Sequence, residues 1–167
     1  MNLLTAGIDI WFVNLGLKLS NVHKSFSVFG LDIYFYGCVI ALSVLAGLLV
    51  AMRVAKMTGQ DPETYLELVV YAVIFGIIGA RIYYVAFTWD YYKDHLLSIL
   101  NLRQGGLAIY GGITAAFITV YVVCRRHKEN VLEVFDSIAL GFPVGQIIGR
   151  WGNFFNREAF GGWSENL

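Results

Sequence analysis

Charge is scarce in this sequence. Only 14% of its 167 residues are Asp, Glu, Lys or Arg, where a soluble domain carries about 25%. The shortage excludes an ordinary soluble domain, and a mean hydropathy of +0.63 points the same way. A surplus of either sign is also missing: 12 basic residues face 12 acidic ones. No basic excess remains to neutralise phosphates, so a nucleic-acid partner is excluded. Cysteine is nearly absent. Cys38 and Cys124 lie in or beside separate apolar runs, and the topology derived below puts them at opposite faces of a membrane, beyond the reach of a disulfide. His23, His95 and His127 fall in an N-terminal arm and two different loops without ligand spacing, so no metal or other cofactor is expected. A nucleotide loop and a serine-nucleophile elbow are missing too. Residues 1–15 hold Asp9 but no Lys or Arg, unlike a cleavable signal peptide. No internal repeat, low-complexity tract or soluble domain is evident.

What the chain has instead is long apolar runs, each near the roughly 20 residues a bilayer-spanning helix needs. They lie at about 33–52, 65–89, 105–124 and 134–155, and they predict an all-α, polytopic membrane helix bundle of about four transmembrane helices. The first run has no charge, the second is interrupted by Glu67 and Arg81, and the fourth by Asp136, Pro143, Gln146 and Arg150. The fourth is the least lipid-like and should sit against protein. The domain organisation that follows is an extracytoplasmic N-terminal arm over 1–32, a transmembrane domain over 33–162, and a tail over 163–167. Within the arm, "SFSVFGLDI" alternates apolar and polar residues around Gly30, the pattern of a short hairpin on the membrane surface.

Lys and Arg crowd the span ends in the first and third loops, at Arg53, Lys56, Arg125, Arg126 and Lys128. The positive-inside rule therefore puts those loops in the cytoplasm and the N-terminus outside. With that direction, Tyr34, Tyr36, Tyr110, Arg81, Arg150 and Asn153 all fall at the outer-leaflet level. An arginine inside a membrane costs about 2.5–3.5 kcal/mol on insertion scales, so each is a candidate for function. Arg150 lies close enough to a span end to snorkel instead, whereas Arg81 sits deeper and favours a pocket. Either one can also serve structure alone by pairing with a carboxylate. Gly141, Gly145 and Gly149 recur every four residues, the spacing of a small-residue seam for helix packing. Gly105, Gly106, Gly111 and Gly112 bracket Tyr110 and allow either tight packing or backbone amides that face a ligand. Two guanidiniums with amide and phenol groups, in a water-poor site, suit a phosphate ester held bidentately by arginine. At that level the phosphate ester on hand is a phospholipid head group. Tyr110 would donate to an oxyanion or take a proton from a nucleophile. The residues alone reach as far as an outer-leaflet site for an anionic lipid or similar solute.

The stretch "GRWGNFFNREAFGG" at 149–162 resembles the signature of the bacterial phosphatidylglycerol–prolipoprotein diacylglyceryl transferases. Gly149, Arg150, Gly152, Asn153, Phe154, Asn156, Glu158 and Gly161 fit that pattern. "FYG" at 35–37, "GARIYYVAF" at 79–87, "GGLAIYGG" at 105–112 and the 136–150 run resemble family blocks in the same order. The resemblance implies transfer of the diacylglyceryl group of phosphatidylglycerol to the lipobox cysteine of a prolipoprotein signal peptide, in the bacterial inner membrane. It implies that Arg150 binds the lipid phosphate and acts with Tyr110 as the catalytic pair. Arg81 becomes a second anion clamp, and Tyr36, Asn153, Asn156 and Gly161 further head-group residues. The asparagines hold the head group or order the turn, and Glu158 pairs with an arginine. Many relatives carry histidine where this chain has Tyr110, so the phenol stands as base or hydrogen-bond donor. Family members also continue past the signature, which makes a truncated chain, inactive on its own, one expectation. A small non-enzymatic transport or assembly subunit, and a structural lipid anchor, are the competing readings.

Overall fold

The computed structural model describes residues 8–12, 15–102 and 105–158. Two antiparallel β-hairpins open it: β1 (Ile8–Phe12) with β2 (Leu17–Val22), and β3 (Ser25–Val28) with β4 (Leu31–Tyr34). The second hairpin is the one that alternation around Gly30 predicts. The first is not anticipated. Asp9 and Lys18 pair across it at 2.8 Å, and Asn21 N–H donates to Asp9 Oδ1 at 3.0 Å. The Lys18 ammonium, with help from the Asn21 amide, holds the Asp9 carboxyl below its usual range.

Helices follow at once: α1 (Phe35–Thr58), α2 (Pro62–Phe87), α3 (Trp89–Tyr92), α4 (Ile109–His127) and α5 (Val131–Asn156), with a 3₁₀ turn at Leu96–Leu100. Local chemistry fixes their ends. Gly59, at φ +80°, stops α1, and the Gln60 N–H bonds back to the Ala55 carbonyl at 2.9 Å. Asp61 caps α2 by accepting from Glu63 N–H at 3.0 Å, with Pro62 in the first turn. Asn130 caps α5, accepting from Leu132 N–H and donating to Glu133 Oε1, both at 3.0 Å.

Helices α1, α2 and α5 are long and apolar enough to cross a membrane, so this is a polytopic helical membrane protein. Among the described residues these three meet that length and composition, and α4 stands where the third of the about four expected spans lies. Gly111, Gly112, Thr114 and Thr119 dilute α4 and Arg125–His127 end it. Its apolar content falls below that of the others.

The chain divides into two compact units, Met1–Leu49 with Leu140–Leu167, and Val50–Ala139. Helices α1 and α5 run through both. Within α5 the division falls at Ala139, the carbonyl left without a helical donor by Pro143. In the first unit, α5 lies against α1 along the glycine row. A Cβ on Gly145 would stand 3.1 Å from the Ser43 carbonyl oxygen, and one on Gly47 3.1 Å from that of Gly141. The packing role expected of the row is what the structure shows. Phe35 joins the hairpins to the far end of α5, its ring 5.2 Å from Phe26 and 5.0 Å from Phe155.

In the second unit, α2 and α4 meet at their own glycines. A Cβ on Gly79 would lie 2.8 Å from the Gly111 carbonyl oxygen. At the α1–α2 turn, Gln60 is the centre of a buried polar cluster. It accepts from the Tyr65 phenol at 2.5 Å and donates to Thr58 Oγ1 at 2.8 Å and Ser137 Oγ at 3.1 Å. Ala55, Cys124 and Val134 are fully buried in the same unit.

Candidate functional site

The signature stretch forms the end of α5, in the first unit. Arg157 sits at φ +58°; its N–H bonds to the Phe154 carbonyl at 3.3 Å, and the Glu158 N–H bonds to the Asn153 carbonyl at 3.1 Å. This is a Schellman stop with arginine where glycine is usual. The left-handed conformation costs a residue with a Cβ roughly 1–2 kcal/mol. The Arg157 guanidinium donates to the Val22 carbonyl, tying the helix end to β2.

Arg150 lies two turns before this stop and is exposed, with no hydrogen bond or ion pair among the described residues. Asn153 is three residues on, half-buried, on the same side of the helix. Tyr36, in the first turn of α1, lays its ring against α5: a Cβ on Gly152 would stand 3.1 Å from Tyr36 Cδ2. The structure thus brings Tyr36, Arg150 and Asn153 to one end of the α1–α5 pair. Asn156 Nδ2 donates to Glu158 Oε1 at 3.0 Å, so of its two expected uses the asparagine is seen ordering the turn. Glu158 was expected to pair with an arginine. Among the described residues its carboxylate takes Asn156 instead, because the Schellman turn folds the two side chains together. Gly161 lies outside the described residues.

Arg81 and Tyr110 belong to the second unit. Arg81 is 6% exposed, and all five of its N–H donors are in use. Nε donates to the Ile99 carbonyl at 2.8 Å. Nη1 donates to Gly105 at 2.9 Å and Gly106 at 2.8 Å, and Nη2 to Ser98 at 2.7 Å and Asn101 at 3.1 Å. The guanidinium carbon is also 5.2 Å from the centroid of the Tyr92 ring. A guanidinium has no sixth donor. In this geometry Arg81 has none free for a phosphate, so the expected second anion clamp is not open here.

The same contacts separate the two uses of the glycines around Tyr110. Gly105 and Gly106 have φ of +82° and +78° and present carbonyls to Arg81, while Gly111 and Gly112 approach α2. Tyr110 itself is 70% exposed, its ring 6.5 Å from that of Tyr83. Among the described residues, no group of three or more His, Cys, Asp or Glu side chains is placed to hold a metal ion. An open depression of about 440 Å³ in the second unit is lined by Lys93–Ser98 and contains none of the expected site residues. Gln60, Tyr65 and Ser137 carry no local sign in the sequence of the role they share. Their cluster is long-range, and each residue alone looks like an ordinary helix end.

The sequence profile of the family described as Prolipoprotein diacylglyceryl transferase matches residues 23–166. The chain belongs to the prolipoprotein diacylglyceryl transferase family. A relative from Finegoldia magna, named phosphatidylglycerol–prolipoprotein diacylglyceryl transferase, is 49% identical over 137 residues, covering 82% of this chain and 55% of the relative. Relatives of the same name from Clostridioides difficile and Staphylococcus carnosus are 42% and 41% identical over 138 residues, covering 83% of this chain and 56% and 50% of their own lengths. The chain therefore spans about half the length of the curated relatives it matches. The match takes in the whole Tyr36–Glu158 region, so every described site residue lies within the family's own sequence.

Proposed function

We propose that this chain serves the transfer of the diacylglyceryl group from phosphatidylglycerol to the lipobox cysteine of prolipoproteins, the first step of lipoprotein maturation. The reaction makes a thioether at the cysteine sulfur, breaks the bond to the phosphate oxygen, and releases glycerol phosphate. The site works at the outer face of the bacterial inner membrane, with the N-terminus on that side. The observation that carries this reading is Arg150: a guanidinium with no protein partner among the described residues, on the same side of an apolar helix as Asn153 and at the end of that helix where Tyr36 packs. Such a group offers a bidentate fork to a phosphate diester. Charge grows on the phosphate as the carbon–oxygen bond breaks, so the arginine holds the leaving group more tightly in the transition state than in the ground state. Tyr36, Asn153 and Asn156 supply neutral donors for the glycerol head group, and Glu158 holds Asn156 in place. Tyr110 takes the thiol proton or donates a hydrogen bond as the thiolate forms.

The test uses membranes that contain this chain, labelled phosphatidylglycerol and a lipobox peptide. Label bound to the peptide cysteine, lost at least 100-fold in Arg150→Ala with assembly retained, is the expected result. Transfer that survives Arg150→Ala would overturn the assignment of Arg150. A second reading rests on the coverage of about half of each relative. On that reading, transfer appears only when the remainder of a relative is supplied alongside this chain.

A further inference from the structure

The guanidinium cage gives Arg81 a task of its own. We propose that Arg81 is a positioning residue, which sets the backbone that presents Tyr110 by holding the carbonyls of residues 98, 99, 101, 105 and 106 between α3 and α4. This inference rests on the transferase reading for its link to catalysis, though not for its structural content.

Arg81 takes carbonyls from both sides of residues 103–104: Ser98, Ile99 and Asn101 before them, Gly105 and Gly106 after. One planar fork therefore ties two separate stretches of chain to α2. The neighbouring residue adds a further tie, as the Ala80 carbonyl accepts from Ala108 N–H at 3.0 Å. Ala108 is the N-cap of α4, and Tyr110 lies two residues beyond it. Gly106 leaves no room for variation, since a Cβ there would collide with Arg81 Nη1 and come within 2.9 Å of Tyr84 Cε1. The backbone before Tyr110 is thus fixed at Gly105, Gly106 and Ala108, while the Tyr110 ring is exposed. A reactive side chain benefits from that combination, because a fixed base narrows the positions its phenol can reach.

Charge argues for the same role. A buried cation needs compensation, and a carboxylate is the usual partner. No Asp or Glu among the described residues bridges to Arg81. Five carbonyl dipoles and the Tyr92 ring face do that work instead. An arginine meant to receive a phosphate would keep donors open. This one uses all of them on backbone.

The experiment compares Arg81→Lys and Arg81→Gln with the parent chain in nanodiscs, by amide hydrogen exchange and by diacylglyceryl transfer. Lysine keeps the charge but gathers its donors on one nitrogen, so it cannot span five carbonyls. Both variants should show at least 10-fold faster exchange at the Gly105 and Ala108 amides, with Val120 in mid-α4 unchanged. Where the parent chain transfers lipid, both should lose kcat at least 10-fold with KM for phosphatidylglycerol within twofold. If Arg81→Lys leaves exchange at Gly105 and Ala108 as in the parent, the positioning role is refuted. If Arg81→Lys keeps activity and Arg81→Gln raises KM instead, Arg81 is an anion clamp and the proposal falls. A parent chain with no transfer refutes the transferase reading for this chain alone, and the exchange result still decides what Arg81 does.

Discussion

Replacing Gly145 with alanine should weaken the first unit, whereas the same change at Gly149 should strengthen it. Both glycines lie inside α5 on the face toward α1, so their backbone and propensity effects match. Alanine is favoured over glycine in a helix interior by about 0.8–1.0 kcal/mol. At Gly149 a new methyl would meet the Ile40 and Ser43 side chains at 3.9 Å, ordinary contact, so the gain is kept. At Gly145 it would stand 3.1 Å from the Ser43 carbonyl oxygen. That oxygen is backbone in the middle of α1 and has little freedom to retreat, so the helices must separate slightly. Overpacking of this kind costs about 1–3 kcal/mol, which cancels or outweighs the propensity gain. The pair should therefore differ by about 1–3 kcal/mol, with Gly145→Ala the less stable. The assay is reversible unfolding in mixed micelles followed by far-ultraviolet circular dichroism, with size-exclusion chromatography to check assembly. Variants that agree within about 0.5 kcal/mol would refute the close α1–α5 approach.

Two other outcomes follow from polar contacts away from the signature. Gln60→Leu should cost about 2–4 kcal/mol, because it strips partners from the buried Tyr65 phenol and Ser137 hydroxyl together; thermal unfolding of the variant beside Tyr65→Phe measures it. Asp9 has a lowered pKa in the folded hairpin, so its contribution to β1–β2 is present above the ordinary carboxylate value and is lost as pH falls through the lower, folded one. A carboxyl titration by nuclear magnetic resonance should place the Asp9 midpoint below 3.8, and Lys18→Ala should bring it back up; an unmoved midpoint in that variant would exclude the ion pair as the main cause.

Much of the fold was legible because apolar runs and helix caps are local. The charge-free first run became α1, and the fourth run became α5 with its glycine row against α1. The helices depart from the expected spans at their ends. Helix α2 starts at Pro62 rather than near 65, since Asp61 and Pro62 form a cap that hydropathy ignores. Helix α1 runs on to Thr58 because backbone hydrogen bonding continues beyond the apolar stretch until Gly59 breaks it. The site was legible only in part. Asn153 shares a side of α5 with Arg150 by helical periodicity, and Tyr36 reaches that end of α5, against Gly152, because α1 packs along the glycine row. Arg81 was misleading for a physical reason: its partners are main-chain carbonyls, and a carbonyl leaves no mark in a sequence. A buried arginine in an apolar run therefore reads as an anion site whether its ligand comes from outside or from the fold. The Gln60 cluster was hidden by distance along the chain, with Ser137 brought to it only by the tertiary fold.

The cage around Arg81 also bears on how this region can change over generations. A latch built from an arginine and a carboxylate depends on two side chains, and losing either one breaks it. Here one partner is the peptide backbone, which every amino acid supplies. Residues 98, 99 and 101 can then exchange their side chains widely while the loop keeps its shape, so long as Arg81 and the glycine at 106 are retained. The surface of the loop is thereby free to adapt to different surroundings while the backbone ahead of Tyr110 stays where it is.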